Sequence, residues 1–349
     1  MFYDLKNIKE ADIKKKKIFL RADLDVPIKD GQIADDTRLK AWLPTLEYLL
    51  INQATVYIGG HLGRPQGADS KFSLKPVALW IKQQLEIHLD LKEITENEFK
   101  GWDTNGNVIL LENLRFYKEE EENDSNFSQK LASLAEIYVN DAFASSHRAH
   151  ASIVGITEYL PSYAGLRLEK EVGELSKVLE NPQRPLVVII GGAKIETKLP
   201  LVEKMHSFAD YVLVGGEIAE NDKVLLKVQH EKVEKRKSIL LVADLTPDAK
   251  DITQKSAENF VQILQGSATI VWNGPMGKTE EKQYQKATEI LANAISQNSA
   301  YCIVGGGDTL SFLKEKNLLD KFSFVSTGGG AMLEFLAGVK LPGLEVLEK

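Results

Sequence analysis

The residues of this chain best suited to chemistry are arginines and histidines that follow short apolar runs in the first half of the sequence. Only eight arginines occur in 349 residues, and lysine supplies most of the positive charge. Five arginines and three of the six histidines hold such positions: Arg21, Arg38, Arg64, Arg115, Arg148, His61, His147 and His150. A planar guanidinium binds phosphate or carboxylate through two parallel hydrogen bonds, which a flexible ammonium does poorly. Any one of these arginines could form a structural ion pair, but the cluster predicts an anion site.

In the second half of the chain, glycine takes the place of arginine after the apolar runs. Five glycine-containing turns occur there: Gly191–Lys194, Gly215-Gly216, Asn273–Gly277, Gly305–Asp308 and Ser326–Gly330. Glycine lets the backbone approach a ligand, and the N-terminus of a following helix offers free N–H groups to phosphate. One such turn would be ordinary turn chemistry, whereas five predict a polyphosphate site. Lys194 and Lys198 could both point at it, and Asp308 is either a helix N-cap or a magnesium ligand.

The elements that must position these residues alternate between strands and helices. Ten short apolar runs without alternation suit strands buried on both faces of a parallel sheet: Ile18–Ala22, Ala54–Ile58, Val108–Leu111, Ile137–Val139, Leu186–Ile190, Tyr211–Val214, Ile239–Val242, Ala268–Trp272, Tyr301–Val304 and Phe322–Val325. Segments between them, such as Pro76–Leu85 and Tyr284–Ile295, have helical spacing. Because ten strands exceed what one twisted sheet usually holds, we predict an α/β protein with two doubly wound parallel-sheet lobes.

The boundary between the lobes is expected near residues 165–185. Leu168, Val172, Leu175 and Leu179 follow helical spacing, and prolines then stop the helix. We interpret this segment as a helix that joins the two lobes.

Composition and charge exclude several classes of protein. Acidic residues outnumber basic ones by 50 to 43, which argues against a general nucleic-acid binder and against adsorption to anionic membranes. No apolar stretch approaches the ~20 residues of a membrane span, and the N-terminus lacks the apolar segment of a signal peptide. Cys302 is the only cysteine, so neither a disulfide within the chain nor a thiolate-rich zinc site can form. We therefore expect a cytoplasmic protein without nucleic-acid or membrane partners.

Familiar nucleotide and hydrolase motifs are absent. Gly274–Thr279 resembles a Walker A loop, but Trp272 stands where its first glycine is required. The chain has no G-x-G-x-x-G, so the NAD-dependent dehydrogenase that a doubly wound fold would also suit loses its support. HExxH, paired CxxC and G-x-S-x-G motifs do not occur either.

Taken together, the motifs resemble those of one family, phosphoglycerate kinase. They appear in the order of the family and cover nearly the whole chain. The matching stretches are Arg21–Pro27, Asp35–Arg38, His61–Pro65, Ser73–Pro76, Leu111–Phe116, Val139–Phe143, His147–His150, Gly191–Lys194, Val271–Gly277, Gly305–Thr309 and Ser326–Gly330.

The resemblance implies a fold and a set of site residues. It implies an N-terminal lobe of residues 1–165 with about 335–349 packing back on it, a hinge helix at 166–184 and a nucleotide lobe at 185–334. Residues expected to hold 3-phosphoglycerate or 1,3-bisphosphoglycerate are Arg21, Asp23, Asp25, Arg38, His61, Arg64, Arg115, Arg148 and His150. Residues expected to hold ADP or ATP are Lys194, Lys198, Asn273, Glu280, Gly305, Gly306, Gly307, Asp308 and Thr309, with Glu280 on the ribose and Asp308 on Mg²⁺.

The implied reaction is reversible phosphoryl transfer from 1,3-bisphosphoglycerate to ADP, as in glycolysis. The protein must align donor and acceptor and neutralise the transferring group, roles that we assign to Arg38 and Lys194. Both acceptors are already ionised, so no general base is required. We expect a monomer whose lobes close for transfer and exclude water. The alternative is a non-catalytic homologue that binds phosphoglycerate or nucleotide and regulates.

The chain departs from the family mainly around the adenine pocket. Asp25 replaces a usual Asn, Tyr117 a common His and Glu217 a glycine. Asp251–Lys255 lacks the Gly-Pro of the family motif, and Lys278-Thr279 replaces an apolar pair. The chain is also a few dozen residues short, and the loss falls between 217 and 251. We expect these changes to affect base preference and nucleotide affinity more than the reaction.

Overall fold

The computed structural model describes residues 3–86, 92–104, 106–193, 195–221 and 238–349. The chain divides into two compact units. Residues 1–173 and 340–349 form the N-terminal unit, and residues 174–339 form the C-terminal unit.

The N-terminal unit is built on a seven-stranded sheet. The described strands of the unit, including two outside this sheet, are β1 (Lys17–Arg21), β2 (Ile28–Lys29), β3 (Gln32–Ile33), β4 (Thr55–Gly59), β5 (Lys92–Glu96), β6 (Phe99–Asp103), β7 (Val108–Leu111), β8 (Ile137–Asn140) and β9 (Ser162–Ala164). The sheet has the order β5-β6-β7-β4-β1-β8-β9, and β2 and β3 pair separately as a hairpin. β1 lies inside the sheet and pairs in parallel with β4 and β8, so Arg21, its last residue, is positioned by strands on both sides.

The C-terminal unit is built on a six-stranded parallel sheet. Its strands are β10 (Leu186–Ile190), β11 (Tyr211–Val214), β12 (Ile239–Val242), β13 (Thr269–Asn273), β14 (Tyr301–Gly305) and β15 (Phe324–Val325). Their order is β12-β11-β10-β13-β14-β15, and every pairing is parallel. The carboxyl ends of these strands therefore meet at one edge, where the glycine turns begin.

The helices lie between the strands, as the sequence pattern predicts. The α-helices of the described residues are α1 (Thr37–Ile51), α2 (Lys75–Gln84), α3 (Lys118–Glu121), α4 (Ser125–Ala132), α5 (Leu166–Glu180), α6 (Ile195–His206), α7 (Gln254–Gln265), α8 (Lys286–Ser296), α9 (Gly307–Glu315), α10 (Gly330–Leu336) and α11 (Pro342–Glu345). Short 3-10 helices occur at Ile8–Glu10, Ser70–Phe72, Leu114–Phe116, Phe143–Ser145, Gly155–Glu158, Glu217–Glu220, Lys282–Tyr284 and Leu319–Lys321. None of the α-helices within these ranges has both the length and the hydrophobicity to cross a bilayer.

Successive residues of the central strands pack on opposite faces of the sheet. In β1, Ile18 and Leu20 join a core that includes Trp42 of α1, whereas Phe19 joins another that includes Phe127 of α4. Because both faces are covered, these strands carry uninterrupted apolar runs. All ten predicted strands are present, and the predicted doubly wound architecture is confirmed.

The N-terminal sheet differs from the prediction at one edge, where β5 and β6 form an antiparallel hairpin. Asn97 and Glu98 at its turn both have positive φ, 46° and 72°, as the hairpin turns that match strand twist require. β6 then pairs antiparallel with β7. The pattern missed this hairpin because β5 is mostly exposed and forms no apolar run. The sheet is therefore parallel with an antiparallel edge.

Helix α5 begins in the N-terminal unit and ends in the C-terminal unit. Leu168, Val172, Leu175 and Leu179, whose spacing predicted the helix, are buried. That α5 acts as a hinge stays a prediction.

The C-terminal segment packs back on the N-terminal unit, as the resemblance predicts. Leu341, Leu344 and Leu347 are buried completely. The backbone N–H of Gly343 donates to the Ser146 carbonyl at 2.9 Å, which ties the segment to the loop that precedes Arg148. The last ten residues are thus part of the scaffold that carries the arginines.

This packing predicts a large effect of truncating one tail residue. Leu344→Ala leaves a cavity in a closed environment and should lower the free energy of unfolding by about 2–5 kcal/mol. Leu79→Ala is the matched control, because Leu79 of the same unit is 49% exposed and should change it by less than about 0.5 kcal/mol. Urea denaturation followed by tryptophan fluorescence measures the stability of both variants. Equal midpoints would show that the C-terminal segment does not contribute to the hydrophobic core.

Candidate active site

The centre of the predicted anion site is Arg21, whose side chain is completely buried. Its Nε donates to Ser152 Oγ at 2.8 Å, and its Nη1 donates to the Ala22 carbonyl at 2.6 Å. The remaining Nη2 lies 3.1 Å from Nδ1 of His61. Each edge of the guanidinium thus has a protein partner, and no part of its surface is open to solvent.

A buried carboxylate, Glu120, lies behind Arg21. It accepts hydrogen bonds from the Ser152 hydroxyl at 2.5 Å and from the Ser152 backbone N–H at 2.9 Å. Burial raises the pKa of Glu120, and the positive charge of Arg21 opposes that rise. Ser152 therefore joins a buried cation to a buried anion, an arrangement that is tolerated when its polar atoms are paired.

Arg115 carries the clearest sign of a missing partner. It follows β7 in the 3-10 helix Leu114–Phe116 and is 6% exposed. Nη1 donates to the Gly63 carbonyl at 2.7 Å, and Nε lies 3.2 Å from a Glu121 oxygen. Its buried Nη2 has no hydrogen-bond partner among the described residues. Burial, with the nearby charge of Arg148, lowers the pKa of Arg115 to about 10.

Three histidines lie among these arginines, and all are held neutral. Burial followed by neighbouring positive charge lowers the pKa of His147 to about 4 and that of His150 to about 3. The pKa of His61 is lowered well below its usual value by burial and by Arg21 and Arg115. A site this crowded with cations favours the neutral form of each imidazole.

Asp25 lies at the entrance of this cluster. Its Oδ1 accepts from the Gly63 N–H at 2.9 Å, and its Oδ2 lies 3.8 Å from Arg38 Nη1 and 3.9 Å from His61 Nε2. Arg38 also donates to the Asp25 carbonyl at 2.7 Å. The carboxylate thus faces two groups predicted to receive the anionic substrate, and Arg64 next to Gly63 is exposed.

Asp23, two residues after the end of β1, is almost completely buried. It accepts from the Ala144 N–H at 3.1 Å. Burial raises its pKa, whereas Arg38 and Arg21 oppose that rise. Contacts and electrostatic interactions thus bring together eight of the nine predicted phosphoglycerate residues: Arg21, Asp23, Asp25, Arg38, His61, Arg115, Arg148 and His150.

In the C-terminal unit, the corresponding centre is Lys198. Its ammonium donates to Asn273 Oδ1 at 2.6 Å, and its side chain is 8% exposed. Burial lowers its pKa to about 8, and the carboxylate of Asp308 opposes this shift. Asn273 ends β13 and pairs with Gly305 at the end of β14, so Lys198 lies where the glycine turns leave the sheet.

Several glycines at this edge are required by close packing between turns. A Cβ on Gly274, which has φ +92°, would lie 2.1 Å from the Gly191 carbonyl oxygen, and one on Gly216 would lie 2.5 Å from the Gly192 nitrogen. A Cβ on Gly307 would meet nothing within 4 Å. Turn packing therefore accounts for the first group, and space for a ligand remains at Gly307.

The other residues predicted to bind the nucleotide differ in how exposed they are. Gly306 is the N-cap of α9, so the alternative that Asp308 caps this helix is wrong; Asp308 is an exposed residue of its first turn. Thr309 is buried, and its hydroxyl accepts from the Gly274 N–H at 3.0 Å. Glu280 is exposed. Lys194 lies outside the described residues.

Sequence reasoning missed Glu120 and Ser152. Glu120 lies in a run of four glutamates, Glu119–Glu122, a composition that is typical of a solvated surface. Its neighbours in the run are partly or fully exposed, and only the fold shows that this one is buried. Spacing alone contained no signal for the pair.

The residues that depart from the family lie in ordinary structural settings. Tyr117 packs against Phe99 and Phe127. Asp251 accepts from the Ile252 and Ala287 N–H groups, and burial raises its pKa to about 6. Glu217 begins a 3-10 helix directly after Gly216. Most of the shortened stretch lies outside the described residues.

The described residues thus form two α/β units, one with clustered arginines and histidines and one with packed glycine turns. A family model described as phosphoglycerate kinase matches residues 8–250 and 220–339. The chain is 38% identical to phosphoglycerate kinase from Dictyoglomus turgidum, with 98% of each chain covered, and 39% identical to that from Finegoldia magna, with 99% of each covered. This chain belongs to the phosphoglycerate kinase family.

Solved structures agree with this assignment. The structure of phosphoglycerate kinase from Coxiella burnetii matches with a TM-score of 0.84 at 35% identity, and that from Pyrococcus horikoshii with 0.80 at 30% identity. Each match covers 98% of both chains. The predicted family, the predicted fold and the prediction of a phosphotransferase are confirmed, and nothing favours the non-catalytic alternative.

The comparisons also bear on the shortened stretch. The alignment to the Dictyoglomus turgidum protein spans 388 positions, although this chain has 349 residues. Several dozen positions therefore have no counterpart here. The two segments matched by the family model overlap over residues 220–250, within the region where the sequence predicts the loss.

The packing of the turns predicts different responses at two glycines. Gly274→Ala forces a side chain into a left-handed conformation against the Gly191 carbonyl and should lower the free energy of unfolding by at least about 2 kcal/mol. Gly307→Ala should change it by less than about 1 kcal/mol. Thermal unfolding followed by circular dichroism compares the two, and similar melting temperatures would contradict the turn-packing explanation.

Proposed function

We propose that this chain catalyses the reaction of its family through the two residue sets described above. The reaction is the reversible transfer of a phosphoryl group from 1,3-bisphosphoglycerate to ADP, which gives 3-phosphoglycerate and ATP in glycolysis. The observation that carries the assignment is Arg115 Nη2, a buried charged donor without an acceptor among the described residues. Leaving such a donor unpaired costs free energy, which a bound oxyanion would recover.

The N-terminal unit would bind phosphoglycerate. Arg115, Arg148 and Arg64 would pair with its phosphate and carboxylate oxygens, because guanidinium groups match both. His61 and His150 are neutral and would each donate one N–H. Asp23 would accept a hydrogen bond from the hydroxyl of the ligand, whereas Asp25 would lie beside the ligand and next to Arg38 and His61.

The C-terminal unit would bind the nucleotide. Lys198 and the N-terminus of α9, with Gly305, Gly306, Gly307 and Thr309, would bind the phosphates. Lys194 follows the glycine turn of β10 and would contact the transferred phosphoryl group. Glu280 is exposed and would accept hydrogen bonds from the ribose hydroxyls. Asn273 would act indirectly, because its side-chain oxygen positions Lys198.

The residues present fit a magnesium ion that arrives with the nucleotide. The described residues contain no group of three or more His, Cys, Asp or Glu side chains that could hold a metal alone. Mg²⁺ is usually bound by one or two carboxylates together with substrate phosphates and waters, and Asp308 beside the glycine turn suits this. Asp308 would hold the ion, which neutralises phosphate charge when bound.

Transfer would require charge neutralisation from both units. Arg38 in the N-terminal unit and Lys194 in the C-terminal unit would stabilise the transferring group. Since the two ligands are held by different units, we propose that the units close during the reaction and that α5 is the hinge. Closure would exclude water from the acyl phosphate.

We also propose that the protein acts as a monomer in the cytoplasm. Large apolar side chains that are exposed among the described residues are Ile51, Leu79, Tyr159, Ile239 and Val339. They lie apart in the sequence, and single exposed apolar residues are normal for a monomer. One relative, from Triticum aestivum, is named as cytosolic.

A coupled assay tests the proposed function. Protein supplied with 1,3-bisphosphoglycerate, ADP and Mg²⁺ should form ATP and 3-phosphoglycerate in equal amounts. If no nucleoside diphosphate gives product although 3-phosphoglycerate binds, the non-catalytic alternative would be correct.

The assignment of Arg38 predicts a defect in turnover. Arg38→Ala removes a charge that stabilises the transferring group and should lower kcat by about 10³–10⁵ while the protein stays folded. Arg184→Ala is the matched control, because Arg184 pairs with Asp210 beside Phe208 and should leave kcat unchanged. Near-normal turnover of Arg38→Ala in the same assay would remove this residue from the mechanism.

The negative charge of Asp25 predicts that replacing this residue will improve substrate binding, whereas replacing Arg38 impairs turnover. Asp25→Asn keeps the acceptor for the Gly63 N–H but removes a negative charge from the anion site. The KM for 3-phosphoglycerate should fall by about five- to thirtyfold, which corresponds to 1–2 kcal/mol. Glu136→Gln, at the opposite end of the sheet near Lys17, should leave KM unchanged. An increased KM for Asp25→Asn would show that the carboxylate assists binding.

A further inference from the structure

We propose that Arg21 is a positioning residue that acts through His61, and that it fixes His61 as the neutral tautomer with its hydrogen on Nε2. The ring then presents an N–H donor to the phosphoglycerate anion. This inference rests on the proposed binding role of His61, and it replaces the direct substrate contact that the resemblance predicts for Arg21.

The first step is the complete burial of Arg21. No part of its side chain is exposed, and two of its donors are bound by Ser152 and by the Ala22 carbonyl. Its backbone pairs with strands on both sides. The guanidinium cannot reach a ligand without disrupting the end of β1, so any influence on substrate must pass through a neighbour.

That neighbour is His61, and the chemistry of the contact defines its tautomer. Nη2 of Arg21 lies 3.1 Å from Nδ1 of His61. A guanidinium has donors only and is charged throughout the physiological range. Nδ1 must therefore be the acceptor, which excludes both the imidazolium and the tautomer with hydrogen on Nδ1. The ring hydrogen is left on Nε2.

Nε2 of His61 faces the proposed binding site. It lies 3.9 Å from Asp25 Oδ2, the same oxygen that lies 3.8 Å from Arg38 Nη1. Two donors thus converge on one oxygen position at the entrance of the cluster. An oxygen of the bound anion near that position would meet both Arg38 and His61.

The surrounding charges keep His61 in this form as pH changes. The groups that face it are Arg21 from β1, Asp25 from the following loop, Arg115 from the helix after β7, and Arg148 and His150 from the loop after β8. Burial is the largest cause of its lowered pKa, and Arg21 is the largest of the charges. Loss of Arg21 should therefore raise the pKa of His61, but only in part, because burial and the other cations remain.

Ser152 and Glu120 hold Arg21 in the orientation that this requires. The Ser152 hydroxyl donates to Glu120 and accepts from Arg21 Nε. Because the hydroxyl hydrogen is directed to the carboxylate, the oxygen lone pairs remain for the guanidinium. Arg21 therefore donates on both sides, through Ser152 to Glu120 and directly to His61 Nδ1.

In a second arginine–histidine pair nearby, the arginine donates to the other ring nitrogen, which gives an internal comparison. Arg148 Nε donates to Nε2 of His147 at 3.1 Å. By the same reasoning, His147 must carry its hydrogen on Nδ1. Two neighbouring histidines are thus predicted to be neutral but of opposite tautomers.

Nitrogen NMR of ligand-free, ¹⁵N-histidine-labelled protein tests the inference directly. Long-range ¹H–¹⁵N spectra at neutral pH should show His61 protonated on Nε2 alone and His147 protonated on Nδ1 alone. The signals are assigned by their loss in His61→Gln and His147→Gln. A His61 ring that is protonated on Nδ1, or on both nitrogens, would overturn the proposal.

Variants of Arg21 separate positioning from simple support of the fold. Arg21→Lys keeps a buried cationic donor and should preserve the Nε2–H form. Arg21→Met should give mixed tautomers and a His61 pKa higher than in the wild type, with affinity for 3-phosphoglycerate reduced about ten- to a hundredfold. An unchanged tautomer and pH profile in a folded Arg21→Met protein would overturn the inference. If that variant does not fold, the wild-type spectrum decides.

The two proposals fail separately in these experiments. The wild-type spectrum is recorded without ligand, so a wrong tautomer would contradict the role of Arg21 even if the enzyme turns over normally. A correct tautomer with no phosphoglycerate binding would instead contradict the proposed function of the site.

Discussion

The dominant physical constraint in this protein is the burial of guanidinium charge beside neutral histidines. Arg21 and Arg115 are almost completely removed from water, and taking charges out of water is costly unless they are paired. Glu120 balances Arg21 through Ser152. Among the described residues, Arg115 lies near the exposed Glu121 and donates to the Gly63 carbonyl. Arg115 Nη2 thus has no hydrogen-bond partner among the described residues, and the proposed anionic ligand would supply one.

The C-terminal unit handles charge in a different way. It relies on backbone N–H groups at strand ends and on one nearly buried lysine, Lys198, whose pKa burial lowers to about 8. Glycines at 191, 216 and 274 let three turns pack against one another. Space remains beside Gly307 at the start of α9. The N-terminal unit thus gathers buried charged side chains, whereas the C-terminal unit gathers closely packed glycine turns.

Much of this was predictable from the sequence, and the failures have physical causes. The central strands are buried on both faces, so their uninterrupted apolar runs locate them to within two residues. The exposed edge strand Lys92–Glu96 has no such run. The scarcity of arginine drew attention to the arginine cluster, but residue type cannot distinguish an exposed guanidinium from a completely buried one such as that of Arg21. The same limit hid Glu120, because a glutamate run carries no sign of which member the fold buries.

The central claim is that the N-terminal unit holds an unpaired buried donor for an oxyanion. The structure of this protein with bound 3-phosphoglycerate tests it most directly. We expect a ligand oxygen within hydrogen-bonding distance of Arg115 Nη2, with Arg21 still sealed behind His61. A ligand that occupies this unit while Arg115 Nη2 stays unpaired, or that binds away from the arginines, would contradict the account.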